Sequence, residues 1–419
     1  MSYFKQNIKS LFNGGFFHIL LGGSLTKIIA FFSSIVIIRF ISKSDYAFLA
    51  YTDNLYSYIL LLSGLGCGTA ILKYCVTENH DKNNAYFYFS IKYGTVVQLV
   101  ILVLFLFGIQ IFNIPFEQSK RYIFLLLLYP ILYFWIGALQ SYMRALFCNK
   151  EFAYAGVIQT TMILVLSIAL VLPFGVGGVI VARYISSIVV VIYCAIIIKK
   201  NKKGNADLYK LNSTEKKSFC LLGLSLLVAN LFSMVMPLNE AFLVNNIIKN
   251  VDITAEYKVA ALIPSQLPFF TTAIVTYYLT IFAKYTDKKQ IWNKLKKVGY
   301  VTMFLIAIVS IVGIIISPFI ISMVYGTQYK DTYTLMVLMW GIHAINAGMR
   351  MLPMNILPII GYAKFNMIVA IISSIVHFVI DYILINNYGI NGAVIASGLV
   401  YLFSGLGYWI YIKTKLCEG

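Results

Sequence analysis

Seven ionisable residues interrupt otherwise apolar stretches of the 419-residue sequence: Lys27, Asp53, Arg183, Glu240, Lys258, Arg350 and Asp381. In hydrocarbon a charged side chain costs at least about 2.5–3.5 kcal/mol, so each of these needs a partner, water or a ligand. The cations suit a phosphate or a sugar acid, with Arg offering a planar fork and Lys a compact point charge. The acids suit transfer of a proton or sodium ion, or act as counter-charges to the buried cations. Lys258 and Arg183 lie close to the outer ends of their apolar runs, where snorkelling to the interface is the simpler role.

Helical spacing gathers these residues into stripes. His343, Asn346, Arg350 and Pro353 recur at i, i+3, i+7 and i+10, and Asn230, Ser233, Pro237 and Glu240 repeat that spacing. Ser374, His377 and Asp381 share a face that Asn366, Ala370 and Ser373 continue. Ser24, Lys27 and Ser34 align beside Gly22-Gly23, a pair that permits close helix contact, and Asp53 sits near Tyr56 and Ser57. Five helices thus carry one polar stripe each. Such stripes avoid lipid, which predicts that they line a shared aqueous cavity. Lys27 and Arg350 are the expected substrate cations, with Arg144, Arg183, His343, Asn346 and Asn230 as further contacts. Asp53, Glu240 and Asp381 are the expected ion-coupling or counter-charge residues. His18 reads as interfacial packing.

The elements that must position these residues are membrane spans. The chain is 60% hydrophobic and 11% charged, with a mean hydropathy of +0.83. A soluble chain is roughly a quarter charged. A span needs about 20 apolar residues, and hydropathy predicts twelve: 14–38, 47–70, 87–112, 122–147, 154–174, 178–198, 219–247, 255–283, 298–325, 333–358, 365–386 and 391–412. The first reads as an uncleaved span, since its apolar run is too long for a signal peptide. Connections are short, which leaves no room for an extramembrane domain. Cys67, Cys75, Cys148, Cys194, Cys220 and Cys417 lack metal-ligand spacing, so neither zinc nor disulfides are expected.

Orientation follows from Lys and Arg in the connections. With the N-terminus cytoplasmic, 23 of them fall on the cytoplasmic side and six on the other. Both termini are therefore expected in the cytoplasm. This placement assigns the net charge of +18 to the membrane rather than to nucleic acid, and the runs Lys199–Lys203 and Lys288–Lys297 read as topology signals that touch anionic lipid. The deep cations lie in the middle and cytoplasmic half and the three acids in the outer half, which suits uptake from inside and release outside.

The sequence also repeats itself. Gly175-Val-Gly-Gly-Val-Ile-Val-Ala182 recurs as Gly389-Ile-Asn-Gly-Ala-Val-Ile-Ala396, Lys150 and Phe152 match Lys364 and Phe365, and Asp45-Tyr46 echoes Glu256-Tyr257. The offsets run from 211 to 214 residues. Six spans separate each pair, so the halves have the same orientation. Parallel repeats are a transporter architecture. The expected fold class is an all-α polytopic membrane protein of about twelve helices in two six-helix bundles, 1–205 and 206–419, around a central cavity.

These motifs together resemble the Wzx-type flippases of lipid-linked oligosaccharides, in the multidrug/oligosaccharidyl-lipid/polysaccharide (MOP) exporter superfamily. The likeness covers essentially the whole chain. It rests on Lys27, on Arg39-Phe-Ile-Ser-Lys-Ser-Asp45-Tyr46, on Gly66-Cys-Gly-Thr-Ala70, and on Leu139-Gln-Ser-Tyr-Met-Arg144-Ala with Asn149-Lys150 and Phe152-Ala153. The two Gly-x-x-Gly-x-x-x-Ala openings complete it. The resemblance implies a cationic cavity, transfer of an undecaprenyl-diphosphate-linked O-antigen unit between the leaflets of a bacterial inner membrane, and in some members proton or sodium coupling. It implies no cofactor, and it offers the polymerase and chain-length proteins of the same pathway as partners beside the cargo and membrane lipids. Many relatives carry Asp in the seventh span, where this sequence has Asn239-Glu240.

Other readings differ in cargo or class. A capsular or teichoic unit would fit the same architecture. A drug/cation antiporter is disfavoured by Lys27 and Arg350. A membrane glycosyltransferase or polymerase needs catalytic residues in a sizeable external loop, and a channel does not fit duplicated bundles.

Overall fold

A polypeptide in hydrocarbon must satisfy its backbone groups internally, which leaves the helix as the element for these apolar runs. The computed structural model describes residues 16–111, 113–205, 208–282 and 287–417, without the side chains of 16–20, 229, 230, 233 and 279–281. Every regular element among the described residues is helical.

The chain forms two compact units, Met1–Leu231 and Phe232–Gly419. The first holds α1 (Phe16–Phe40), α2 (Lys43–Leu61), α3 (Cys67–Tyr74), α4 (His80–Ile111), α5 (Ser119–Leu125), α6 (Tyr129–Ala145) and α7 (Asn149–Asn201). Helix α8 (Ser213–Leu243) begins in the first unit and ends in the second. The second unit continues with α9 (Val251–Leu262), α10 (Pro268–Phe282), α11 (Lys288–Phe319), α12 (Tyr333–Ile345), α13 (Met351–Ile356), α14 (Ala363–Tyr388) and α15 (Ile390–Cys417).

Nine helical stretches among the described residues are long and apolar enough to cross a membrane, and the pair α5–α6, bent by 46°, makes a tenth. Helix α7 is 53 residues long and breaks at Gly175, so it supplies two spans, and the 31 residues of α8 are long enough for a twelfth. Large apolar side chains stand exposed all along these cylinders, for example Val103, Leu104 and Phe107 on α4 and Phe304, Ile311 and Ile315 on α11. Such surface is a liability in water and is at home in lipid. The protein is a multi-pass membrane protein.

The second span is longer than its hydropathy suggested. A turn at Ser63–Gly66 breaks it, and α3 then carries it on to Tyr74. The Gly64 N–H freed by the turn donates to Gln98 Oε1 at 3.2 Å.

The sequence repeat is repeated in backbone geometry. Gly175 has φ 55°, ψ −133°, and Gly389 has φ 58°, ψ −139°. Only glycine enters that region readily. Three residues on, a Cβ at Gly178 would lie 2.1 Å from the Leu170 carbonyl oxygen, and one at Gly392 would lie 2.0 Å from that of Leu384. Each unit therefore makes the same sharp corner between its fifth and sixth spans, and the Gly-x-x-Gly spacing exists to make it.

Each unit has its own core. In the first, Tyr142 stacks on Phe87 at 4.1 Å and donates to Asn84 Oδ1 at 2.6 Å, while Asn84 Nδ2 donates to the Lys203 carbonyl at 2.7 Å. The segment after α7 is thereby tied to α4. Two more ties follow: the Asn205 N–H donates to Asp81 Oδ1 at 2.7 Å, and Lys82 pairs with Glu215 at 2.7 Å. In the second unit Leu295, Leu352, Ile356, Tyr408 and Ile412 form a buried cluster.

Candidate functional site

The first unit brings Asp53 of α2 and Arg183 of α7 together. Arg183 Nη1 and Nη2 donate to Asp53 Oδ1 and Oδ2 at 2.6 and 2.8 Å, a bidentate fork. The pair is only partly buried, with side chains 18% and 34% exposed. Lys27 is exposed on α1, one turn past Gly22, whose Cβ would meet Ala153 Cβ of α7 at 2.8 Å. Gly22 is thus the close-contact glycine of the Gly22-Gly23 pair. Arg144 is exposed at the end of α6, 5.4 Å over the Phe152 ring.

The second unit assembles a buried polar cluster from four helices. Ser397 of α15 donates to Glu240 Oε2 of α8 at 2.5 Å, and His377 Nε2 of α14 lies 2.9 Å from the same hydroxyl. Tyr257 of α9 stands beside Glu240. His377 Nδ1 approaches Asp381 Oδ2 to 3.0 Å, one helical turn on, but not in hydrogen-bonding alignment. Both oxygens of the fully buried Asp381 are consequently without a hydrogen-bond partner among the described residues. Two carboxyl groups thus stand around one imidazole, shut away from water, where burying net charge is costly.

Arg350 stands next to this cluster. Its position is set by a π-helical segment, Asn346–Arg350, of the kind that recurs at functional sites. Such a segment loosens carbonyls from the helical ladder, and two side chains take them up. Thr271 of α10 donates to the Ala347 carbonyl at 2.8 Å, and Trp409 of α15 to that of Met349 at 2.8 Å. The guanidinium is 5% exposed; Nη1 donates to Asn346 Oδ1 at 3.2 Å, while Nε has no partner. Among the described residues no carboxylate lies within ion-pair distance of it. Its plane sits 5.3 Å from the Tyr401 ring centroid, and the His377 ring stacks against that same tyrosine at 6.4 Å. Tyr401 therefore joins the cation to the acid–histidine cluster.

The stripes of Glu240, His377 with Asp381, and Arg350 with Asn346 thus converge in one unit. His343, half-buried, leaves its Nδ1 without a hydrogen-bond partner among the described residues, and Lys258 is exposed on α9. The Asn230 side chain, and His18, lie outside the described side chains. Ser397, Tyr257 and Tyr401 were not singled out by spacing. Two of them carried a signal: Tyr257 belongs to the Glu256-Tyr257 motif, and Ser397 falls 214 residues after Arg183, at the repeat offset.

The fold is similar over 96% of this chain to solved transporters. An inward-facing multidrug resistance MATE family transporter of the MOP superfamily matches with a TM-score of 0.78 at 12% identity, over 98% of that chain. An outward-facing multidrug resistance MATE family transporter matches at 0.67 with 14% identity over 94% of that chain. A MOP superfamily transporter from Pyrococcus furiosus, described as having a binding pocket of reverse polarity, matches at 0.65 with 13% identity over 94% of that chain. No curated protein matches the sequence. The family model of polysaccharide biosynthesis proteins matches residues 13–279. The chain accordingly belongs to the polysaccharide biosynthesis protein family, and its fold is MATE-like.

Proposed function

We propose that the protein is a flippase that carries a lipid-diphosphate-linked oligosaccharide, of the undecaprenyl O-antigen type, across a bacterial inner membrane by alternating access. The observation that carries this reading is Arg350: a buried guanidinium with no carboxylate partner among the described residues, in a member of a polysaccharide biosynthesis family. A buried cation without a counter-charge is costly, and a phosphate or sugar acid on the cargo offsets that cost. Lys27 is its proposed counterpart in the first unit, with Arg144, Asn346 and His343 as further contacts. Glu240 and Asp381 act in coupling to protons or sodium while Asp53 is the counter-charge of Arg183, no cofactor is needed, and no covalent chemistry is performed. Both termini face the cytoplasm. Polymerase and chain-length proteins of the pathway are the proposed protein partners.

The test is genetic and biochemical together. Lys27→Ala and Arg350→Ala should lower surface polysaccharide and accumulate lipid-linked units inside, at unchanged membrane abundance, whereas Lys27→Arg keeps partial function. Normal polysaccharide from the double alanine variant at normal abundance would refute the cationic site. Reporter fusions at Gly204 and Lys288 should read cytoplasm, and those at Lys43 and Asn387 the periplasm.

A further inference from the structure

The first unit has a built recess far along the sequence from the acid–histidine cluster. A cavity of about 550 Å³ opens between α4, α6 and α7, walled by Phe87, Ile91, Trp135, Leu139, Val191 and Ile198. The one polar atom of Trp135 is already spent, since Nε1 donates to Thr95 Oγ1 at 2.8 Å, so the wall is apolar throughout. Lys199, Lys202 and Tyr88 stand at its mouth. A second cavity, of about 510 Å³, shares Tyr88 and Lys202 with it and adds Asn205, Tyr209 and Lys216. An apolar slot thus leads into a polar, basic chamber.

The two inner ammonium groups are positioned rather than waving. Lys202 Nζ donates to the Tyr88 hydroxyl at 3.0 Å, and Lys216 Nζ lies 5.8 Å over the Phe89 ring. Among the described residues no carboxylate pairs with Lys199, Lys202 or Lys216. The nearby Glu215 is engaged by Lys82, by the Tyr209 hydroxyl at 2.7 Å and by the Asn212 N–H at 2.9 Å. On α7 the exposed apolar residues Ile188 and Ile192 continue in helical register with Ala195, Lys199 and Lys202. The slot therefore runs out onto a lipid-facing stripe.

We propose that this recess binds one anionic membrane phospholipid, with its headgroup phosphate on Lys199, Lys202 and Lys216 and an acyl chain in the slot. Apolar wall and lysine mouth together match an amphiphile, and the volume lies in the range of about 300–1,000 Å³ usual for small-molecule sites. Bulk phospholipid is the occupant that the lipid-facing opening supplies. The site lies on the segment that α4 holds after α7, and its occupancy does not depend on what the protein transports.

Native mass spectrometry of the purified full chain tests this with four probes: phosphatidylglycerol, phosphatidylcholine, a polyprenyl phosphate and inorganic phosphate. The wild type should retain one phosphatidylglycerol in preference to phosphatidylcholine. A lysine near anionic lipid is worth about fivefold, so the triple variant K199Q/K202Q/K216Q should bind on the order of a hundredfold more weakly. The triple arginine variant should retain the lipid. Ala195→Trp, which fills the slot with every lysine in place, should also release it. The matched triple K288Q/K289Q/K297Q, with the same charge change elsewhere, should bind like the wild type. Equal loss in that control would mean diffuse attraction and would overturn the site. So would undiminished binding by K199Q/K202Q/K216Q, displacement by equimolar inorganic phosphate, or preference for the polyprenyl phosphate, which would make it a cargo site.

Discussion

Arg183 and Ser397 occupy the same position of the internal repeat, 214 residues apart, and each holds a carboxylate of its own unit: Arg183 holds Asp53, and Ser397 holds Glu240. The repeat has kept the anchoring position and changed its chemistry, and the acid it meets stands on a different span, Asp53 on the second and Glu240 on the seventh. A guanidinium neutralises its acid; a hydroxyl only bonds to it. The difference extends to Asp381, whose counterpart at the same offset is Ser167, buried and without a hydrogen-bond partner among the described residues. Among the described residues, the buried cluster of two carboxyl groups and an imidazole belongs to the second unit.

This asymmetry gives the first prediction. Glu240→Gln and Asp381→Asn should abolish the response of transport to an imposed proton or sodium gradient, while Asp53→Asn should leave that response in place. Vesicles loaded with a fluorescent lipid-linked sugar, with and without each gradient, read the outcome. Transport by the wild type that ignores both gradients would make the acids structural counter-charges.

The Asp53–Arg183 fork should behave as a structural pair. Removing either partner alone strands the other charge, at a cost of about 1–3 kcal/mol once partial exposure is allowed for. The double variant Asp53→Ala/Arg183→Ala should recover part of that loss, giving a non-additive cycle in thermal unfolding in detergent. Additive losses would mean that the fork contributes nothing as a pair.

The two helix corners should be equally intolerant of a side chain. Gly175→Ala and Gly389→Ala each force a Cβ into a backbone region that costs about 1–3 kcal/mol, so both should lower thermal stability by similar amounts. Gly177→Ala, with open space where its Cβ would stand, serves as the control.

The tie between α4 and the start of α8 should depend on pH. The hydrogen bond from Lys82, then those from the Asn212 N–H and Tyr209, hold the Glu215 carboxyl at about 2, below its usual 4.5. Its pKa is depressed in the folded state, so the stabilisation is complete above about 4.5 and is lost as pH falls toward about 2. Hydrogen exchange around 203–216 should therefore rise between pH 5 and pH 3 (roughly the upper part of that window), and Glu215→Gln should show the higher exchange at neutral pH with no such rise.

The sequence by itself determined the membrane class, the internal repeat and the identity of the buried charges. The reason is that hydrocarbon forbids exposed backbone and penalises charge, so long apolar runs and their few ionisable interruptions are legible one helix at a time. Even the repeat's glycines could be read, because a corner that only glycine can turn leaves the same letters in both halves. Partnerships were another matter. Helical spacing placed Glu240 and Arg350 on polar stripes, but stripes state a direction along one helix and not which helix answers it. Only the tertiary structure decided that Arg183 closes on Asp53 across 130 residues, that Ser397 reaches Glu240 across 157, and that Tyr401 stands between Arg350 and His377. The π segment at Asn346–Arg350 was equally hidden, since it depends on Thr271 and Trp409 arriving from other helices to take the loosened carbonyls. Ordinary α-spacing cannot anticipate a register change that distant side chains stabilise.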